Sequence, residues 1–429
     1  MKDGGRLAAA IEVLTDIETR HRPVQQALRD WGTNHRFAGS GDRGVIGNMV
    51  FDALRYKTSL GAMLGDASPR LIVLGVYALK WEKGVEGLES VLLNDTHAPE
   101  ALSEAEKAVL AAPTGDLKPF EQADVPEWLW AGFERAFGEN AVAEGQALAA
   151  RAPIDLRTNT VKSDREKLLK RLRHVNAEIT KITPTALRIY PAPGASRMPH
   201  VQAEEGYQKG WFELQDEASQ IAAFLSGAKP GEQVLDFCAG GGGKTLALAG
   251  MMGNKGQIFA SDSDNLRLAP IHERLKRSGV HNVQVRNPAS SSLEDLEGKL
   301  DLVFVDAPCT GTGVWRRRPD SKWRLTEKAL ADRIEEQKTV LASAATYVKP
   351  GGRLVYVTCS VLPEENEDQI AAFLETNAAF SSVSAVEKWK SVFPEAAAPT
   401  YANERGDIML SPASTNTDGF FVALMERKA

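Results

Sequence analysis

Cysteine is nearly absent: the chain has three in 429 residues. So few cannot form a disulfide framework, and a reducing cytosol is the expected compartment. They show no C-x-x-C pair and no histidine-rich neighbourhood, so no metal site is expected. Long hydrophobic runs are also missing. The longest clean one, Leu71 to Leu79, has nine residues, against roughly 20 for a membrane-spanning helix. Met1-Lys2-Asp3-Gly4-Gly5-Arg6 is not followed by the apolar core of a signal peptide. Nor is there a strong charge of either sign, since 51 Lys+Arg face 57 Asp+Glu. That excludes a protein that coats nucleic acid with its whole surface and leaves room for one basic groove. Internal repeats and low-complexity segments are absent. What is present is an ordinary globular composition, 43% hydrophobic and 25% charged, at a length that predicts two or three domains.

Residues 1–124 read as a helical domain. Leu7, Ala10, Ile11, Leu14 and Ile17 recur at helical spacing, as do Val45, Ile46, Met49, Val50, Ala53 and Leu54, with Ser40 and Asp42 as expected caps. Residues 125–212 read as a small α+β region: a helix to about Ala150, then short apolar stretches broken by Pro184, Pro191, Pro193 and Gly194. Between Arg151 and His200 stand eleven Lys/Arg and four Asp/Glu, with seven of the bases from Arg157 to Arg173. This excess is either a phosphate-binding face or a solvated helix surface. From about Glu213 to the end, strands alternate with helices. Gln233–Phe237, Gly256–Ser261, Leu300–Val305 and Gly352–Val357 are the expected strands, and Lys244–Met252, Asn265–Ser278, Thr326–Tyr347 and Pro363–Glu375 the expected helices. Such alternation predicts an α/β doubly wound, mostly parallel sheet with ligands at the carboxyl ends of its strands.

The first of these strands runs into Cys238-Ala239-Gly240-Gly241-Gly242-Gly243-Lys244-Thr245. Four consecutive glycines let a ligand lie on the backbone, and the following helix offers free N–H groups. Two ligands compete. A nucleotide triphosphate would need Gly where Cys238 stands, and Asp306 would then bind magnesium. S-Adenosylmethionine would need an acid at the next strand end, and Asp262 is there, 26 residues after Asp236. The glycine loop with this acid favours the adenosyl ligand. Two further strand ends carry Asp306-Ala307-Pro308-Cys309 and Thr358-Cys359-Ser360. A lone cysteine is usually a small buried hydrophobe. Two on the ligand rim, one of them beside an aspartate, point to thiol chemistry. Trp315-Arg316-Arg317-Arg318-Pro319-Asp320-Ser321-Lys322-Trp323-Arg324 adds five bases and two rings, which reads as an RNA-contacting loop.

Together with Leu156-Arg157-Thr158-Asn159-Thr160-Val161-Lys162, Gly210–Ser219 and Thr417-Asp418-Gly419-Phe420-Phe421, these segments resemble the RNA cytosine-C5 methyltransferases of the bacterial RsmB/Sun and eukaryotic nucleolar NOP group. The likeness runs from about Val125 to Met425. Before it, Asp42-Arg43 and Leu54-Arg55 lie in a region similar to the NusB-like domain of the ribosomal RNA members. The resemblance implies a Rossmann-like methyltransferase domain, an RNA partner with ribosomal RNA ahead of transfer RNA, a cytoplasmic enzyme, and no obligate protein partner. It implies S-adenosylmethionine held by Cys238, Ala239, Gly240, Gly241, Gly242, Gly243, Lys244, Asp262, Asn287 and Asp306. It makes Cys359 the nucleophile and Cys309 the group that assists release of the C5 proton; Asp306 is placed to be the acid near N3, and Lys244 at the helix start orients Asp306 or the target, or else is a solvated helix lysine. Two departures stand out. The family's usual Pro in the glycine loop is missing, so a looser loop is expected. Asn287 replaces an Asp, and its carbonyl can still accept from an adenine amino group. An RNA-binding assembly factor and a P-loop NTPase are the competing readings from other classes.

Overall fold

The computed structural model describes residues 1–286 and 292–429, so Asn287 lies outside the described residues. The chain forms two compact units. One comprises Met1–Arg151, Pro191–Met198 and Trp315–Leu325, the other Ala152–Tyr190, Pro199–Val314 and Thr326–Ala429.

The first unit is helical. Helices Asp3–Arg20, Val24–Asn34, Ser40–Arg55, Lys57–Leu64, Pro69–Gly75 and Gly84–Asn94 enclose a core that includes Leu7, Leu14, Ile46, Met49 and Leu54. These residues belong to the sets read at helical spacing. The cap of Ser40–Arg55 is Gly39, not Ser40, and Asp42 reaches back to accept from the Gly39 N–H at 3.2 Å. That bond satisfies a donor the first turn leaves open. Among the described residues no single helix is long and apolar enough to cross a membrane.

The segment Trp315–Leu325 belongs to this helical unit, and it corrects the reading of an RNA-contacting loop. Trp315, Arg316 and Lys322 are buried, and of the five bases only Arg318 and Arg324 are exposed. Trp315 stacks on Phe133 at 5.6 Å between ring centroids. Lys322 Nζ donates to the carbonyl oxygens of Asp124 at 2.6 Å and Arg55 at 3.3 Å, and sits over the Trp315 and Trp323 rings. Trp323 Nε1 donates to the carbonyl of Leu54 at 2.7 Å, and Arg55 Nη2 to that of Arg316 at 2.8 Å. Burial pushes the Lys322 ammonium down to about 8. Most of what looked like a nucleic-acid signature is a packed strap, with Lys322 met by backbone carbonyls and Arg324 by Asp320 at 3.0 Å. Truncating Trp315→Ala should destabilise this unit by about 3–5 kcal/mol, whereas Arg318→Ala should change stability by less than about 0.5 kcal/mol. Urea unfolding of the two variants checks this contrast. Equal effects would place Trp315 outside the core.

The second unit holds two sheets. A small antiparallel sheet contains β1 (Ile154–Thr158), β2 (Glu178–Ile179), β3 (Ala186–Ile189) and β4 (Phe212–Leu214) in the order β2-β3-β1-β4. The large sheet contains β5 (Gln233–Asp236), β6 (Gln257–Ser261), β7 (Val283–Arg286), β8 (Leu300–Asp306), β9 (Val348–Thr358), β10 (Phe380–Val383), β11 (Tyr401–Ala402), β12 (Ile408–Leu410) and β13 (Phe420–Arg427). Five parallel strands run in the order β7-β6-β5-β8-β9. The antiparallel β13 then joins β9 and carries β12 and β10. Strand order reverses between β5 and β8, which makes the crevice at their carboxyl ends the ligand site of a doubly wound sheet. Helices cover both faces of the sheet, so the interior of β8, Leu302 to Phe304, is wholly buried and purely apolar. The expected helix Asn265–Ser278 is two helices, Asn265–Leu268 and Ile271–Ser278, separated at Pro270, which has no N–H to continue the first.

Candidate active site

β5 ends at Asp236 and the chain turns through the glycines into helix Gly243–Met251. Gly240 and Gly242 adopt φ of +49° and +79°, a region that side chains rarely occupy. At Gly242 a Cβ would also lie 2.5 Å from Ile271 Cγ1. Two arginines tie the loop down. Arg274 Nη1 donates to the Gly241 carbonyl at 2.6 Å, and Arg157 Nη1 to that of Gly243 at 2.7 Å. These bonds restrain a loop that its four glycines alone would leave free. Asp262, just past the end of β6, is buried and accepts from the Gly240 N–H at 2.9 Å and the Asp264 N–H at 2.9 Å.

Below the loop, Lys244 is not solvated. It is buried and donates to Asp306 Oδ2 at 2.7 Å, with Phe420 under its ammonium. Asp306 itself is one-third exposed on the rim. Its neighbour Asp236 is fully buried, accepts from Thr245 Oγ1 at 2.6 Å, and has its other oxygen without a partner among the described residues. Burial pushes this carboxyl up to about 7. Burial likewise raises the Cys238 thiol well above its ordinary value, so it is a poor nucleophile.

The other two cysteines, 50 residues apart in sequence, meet: Cys309 Sγ lies 3.4 Å from Cys359 Sγ. The parallel register sets Asp306 opposite Val357, so the loops after β8 and β9 start side by side. The Gly313 N–H donates to the Cys359 carbonyl at 2.9 Å. Gly313 must be glycine, because a Cβ would come within 2.1 Å of the Gly419 oxygen. The hydrogen bond to Cys359, and then burial, raise the Cys309 thiol well above its ordinary value.

Glu365 was not singled out from the sequence and is the hub of both loops. Fully buried, it accepts from the Thr310 N–H at 2.8 Å, Thr310 Oγ1, Gln337 Nε2 at 2.9 Å and Ser360 Oγ. Thr310 follows Cys309 and Ser360 follows Cys359, so one carboxylate holds the residues next to both thiols. In sequence it reads only as an acid in the first turn of a helix. The one signal that could have found it is its place six residues after a strand-end cysteine.

The doubly wound sheet, the bare glycine backbone at the end of β5 and the buried acid after β6 define the class: an S-adenosylmethionine-dependent methyltransferase. The residues present fit that cofactor. The loop offers backbone free of side chains at a helix N-terminus, and Asp262 offers carboxylate oxygens at the position that grips ribose hydroxyls in such folds. The family model for the 16S rRNA methyltransferase RsmB/F matches residues 223–426, and the RsmF/B-like ferredoxin-like domain matches residues 125–193. The chain belongs to the RsmB/F methyltransferase family. It is 28% identical to a probable ribosomal RNA small subunit methyltransferase B of Synechocystis, across 97% of this chain and 98% of that one. It is 36% identical to ribosomal RNA small subunit methyltransferase B of an Enterobacter strain, and there the match covers 58% of each chain. Among solved structures, a methyltransferase homolog protein from Pyrococcus horikoshii superposes with a TM-score of 0.58 at 27% identity, over 72% of this chain and 97% of that one.

Proposed function

We propose that this chain methylates carbon 5 of a cytosine in RNA, with small-subunit ribosomal RNA as the substrate, through a covalent bond between Cys359 Sγ and C6 of the base. The observation that carries the reading is the 3.4 Å approach of Cys309 and Cys359 on the ligand rim. Carbon 5 of cytosine is a poor nucleophile. A thiolate adding to C6 turns the ring into an enamine, so the reaction needs both an addition and a later elimination. Two thiols held together by one buried glutamate suit that pair of steps.

The bound cofactor supplies an electrophilic methyl group. Cys359 adds to C6 as the thiolate, and the electrons of the C5–C6 bond become available at C5. Asp306, a carboxylate paired with Lys244 at rest, takes up a proton, passes it to N3 during addition and takes it back during elimination. Once C5 carries the methyl, Cys309 loses its own proton to solvent and, as the thiolate, takes the C5 proton. The C5–C6 double bond re-forms and Cys359 leaves as the thiolate. Glu365 acts through Thr310 and Ser360 and is a positioning residue.

The RNA path follows the exposed bases Lys162, Lys167, Lys170, Arg171 and Arg173, since the strap leaves only Arg318 and Arg324 exposed. Arg171 and Lys209 flank the Trp211 ring, with the Arg171 guanidinium carbon 4.6 Å from its centroid, a combination suited to phosphate and an unstacked base. The test is bisulfite sequencing of RNA from a strain lacking this chain, before and after treatment with the purified protein and S-adenosylmethionine. One cytosine of small-subunit ribosomal RNA should become resistant to conversion. Resistance confined to transfer RNA would overturn the substrate. Methyl incorporation without any resistant cytosine would overturn C5 as the site.

A further inference from the structure

Arg157 in β1 is buried, with 6% of its surface accessible. Its Nη1 donates to the Gly243 carbonyl and to the Gln215 side-chain oxygen, and among the described residues Nε and Nη2 have no partner. The next residue, Thr158, is buried too, and its hydroxyl has no partner either. Both line a cavity of about 250 Å³ inside the second unit, between the small sheet and helices Glu217–Leu225 and Gly243–Met251. Phe224, Leu246 and Met251 supply apolar wall, and Glu213 stands beside Arg157 in the register of β1 and β4.

The charge around this cavity does not balance. Glu213 is bonded by Arg274 at 2.9 Å and by Arg277 at 2.5 Å, and Arg157 is its neighbour across the sheet, so three guanidiniums surround one carboxylate. Burial raises the Glu213 carboxyl, but the arginines outweigh burial and hold it below the usual range. It stays ionised and cannot take a second anion's place. Burial pushes Arg157 down to about 10, which leaves it a cation at neutral pH. The open Nε and Nη2 donors face the cavity, and an anion that engages them gains charge-assisted hydrogen bonds in a largely buried setting. The apolar walls disfavour a bare inorganic anion. The volume, just under the range of drug-sized pockets, admits a metabolite-sized molecule and not a polymer.

We propose that this cavity binds a small organic carboxylate with an apolar body, its oxygens taken by Arg157 Nε and Nη2. Because the same guanidinium holds the Gly243 carbonyl where the glycine loop enters its helix, occupancy is coupled to the cofactor. A carboxylate that orders Arg157 also orders the loop. Each ligand should tighten the other by the same factor, about fivefold.

The test is calorimetric titration of the full chain with sodium benzoate, its neutral counterpart benzyl alcohol, and inorganic phosphate. Benzoate should bind and the other two should not. Arg157→Gln should weaken benzoate at least about tenfold. Because that variant also loses a bond to the glycine loop, Ala223→Leu is the second test. It fills the cavity from the wall formed by helix Glu217–Leu225, keeps Arg157, and should abolish benzoate binding. Saturating benzoate should tighten S-adenosylhomocysteine about fivefold. Equal binding of benzyl alcohol would mean an apolar hole without an anion site. Benzoate binding indifferent to Ala223→Leu would place the anion on the surface. No benzoate binding at millimolar concentration would overturn the site, and unchanged S-adenosylhomocysteine affinity would overturn the coupling.

Discussion

Cys359→Ala abolishes methylation, by roughly four orders of magnitude or more, and leaves the affinity for S-adenosylhomocysteine within about twofold of the parent. The size of the loss follows from the chemistry. Without a nucleophile at C6, C5 never acquires the electron density it needs, and no neighbouring group can substitute. Cys309 is adjacent, and the substitution removes its hydrogen bond to Cys359, but burial still raises its thiol above the ordinary value, so little of it is thiolate. The preserved affinity follows from topology. Cys359 lies at the end of β9, whereas the glycine loop follows β5 and Asp262 follows β6, with β8 between β5 and β9. Its backbone bond from Gly313 does not depend on the side chain. Transfer of labelled methyl to RNA and a calorimetric titration measure the two quantities. Turnover near that of the parent would remove Cys359 as the nucleophile.

Cys309→Ala should fail differently and accumulate a protein–RNA adduct that survives denaturing electrophoresis. This variant still adds Cys359 to C6 and still receives the methyl, but it lacks the group that takes the C5 proton, so elimination stalls. In the parent protein the two largest causes of the raised pKa of Cys309 are the hydrogen bond to Cys359 and then burial. When the Cys359 sulfur is bonded to C6 it no longer competes for the proton as a thiolate. The first cause falls away, and Cys309 ionises more readily at the stage that needs a base. The adduct should require S-adenosylmethionine. It should be absent in Cys359→Ala and in the double variant, and resolve in the parent protein faster as pH rises, because the base form of a thiol with a raised pKa grows with pH. A denaturing gel of each variant with labelled RNA reads all of these. An adduct from Cys359→Ala and none from Cys309→Ala would exchange the two roles. No adduct from either would mean that a group other than Cys309 takes the proton.

The alternation of strands and helices from residue 213 onward was legible in the sequence, and so was the position of each strand-end residue. The reason is local: β8 is a run of Leu, Val and Phe because both its faces are covered, and four glycines after a strand have few purposes besides a bare backbone. Asp236, Asp262, Asp306, Cys309 and Cys359 therefore fell on one rim before any tertiary contact was known. The antiparallel β13 that closes the sheet on β9 was not legible, since Phe420–Arg427 pairs with a strand more than 60 residues earlier. The strap misled for a related reason. Arginine and tryptophan have the same composition whether they meet RNA or a helical core, and only packing against Phe133, Leu54 and Asp124 decides between the two. The chain's own pattern determined which backbone segments form and where their ends lie. Tertiary structure alone decided that the two thiols touch, that Glu365 holds both of their loops, that Lys244 is paired and not solvated, and that Arg157 is left with open donors. Each of these is a side-chain partnership between residues distant in sequence, and periodicity along one segment carries no information about what a second segment sets against it.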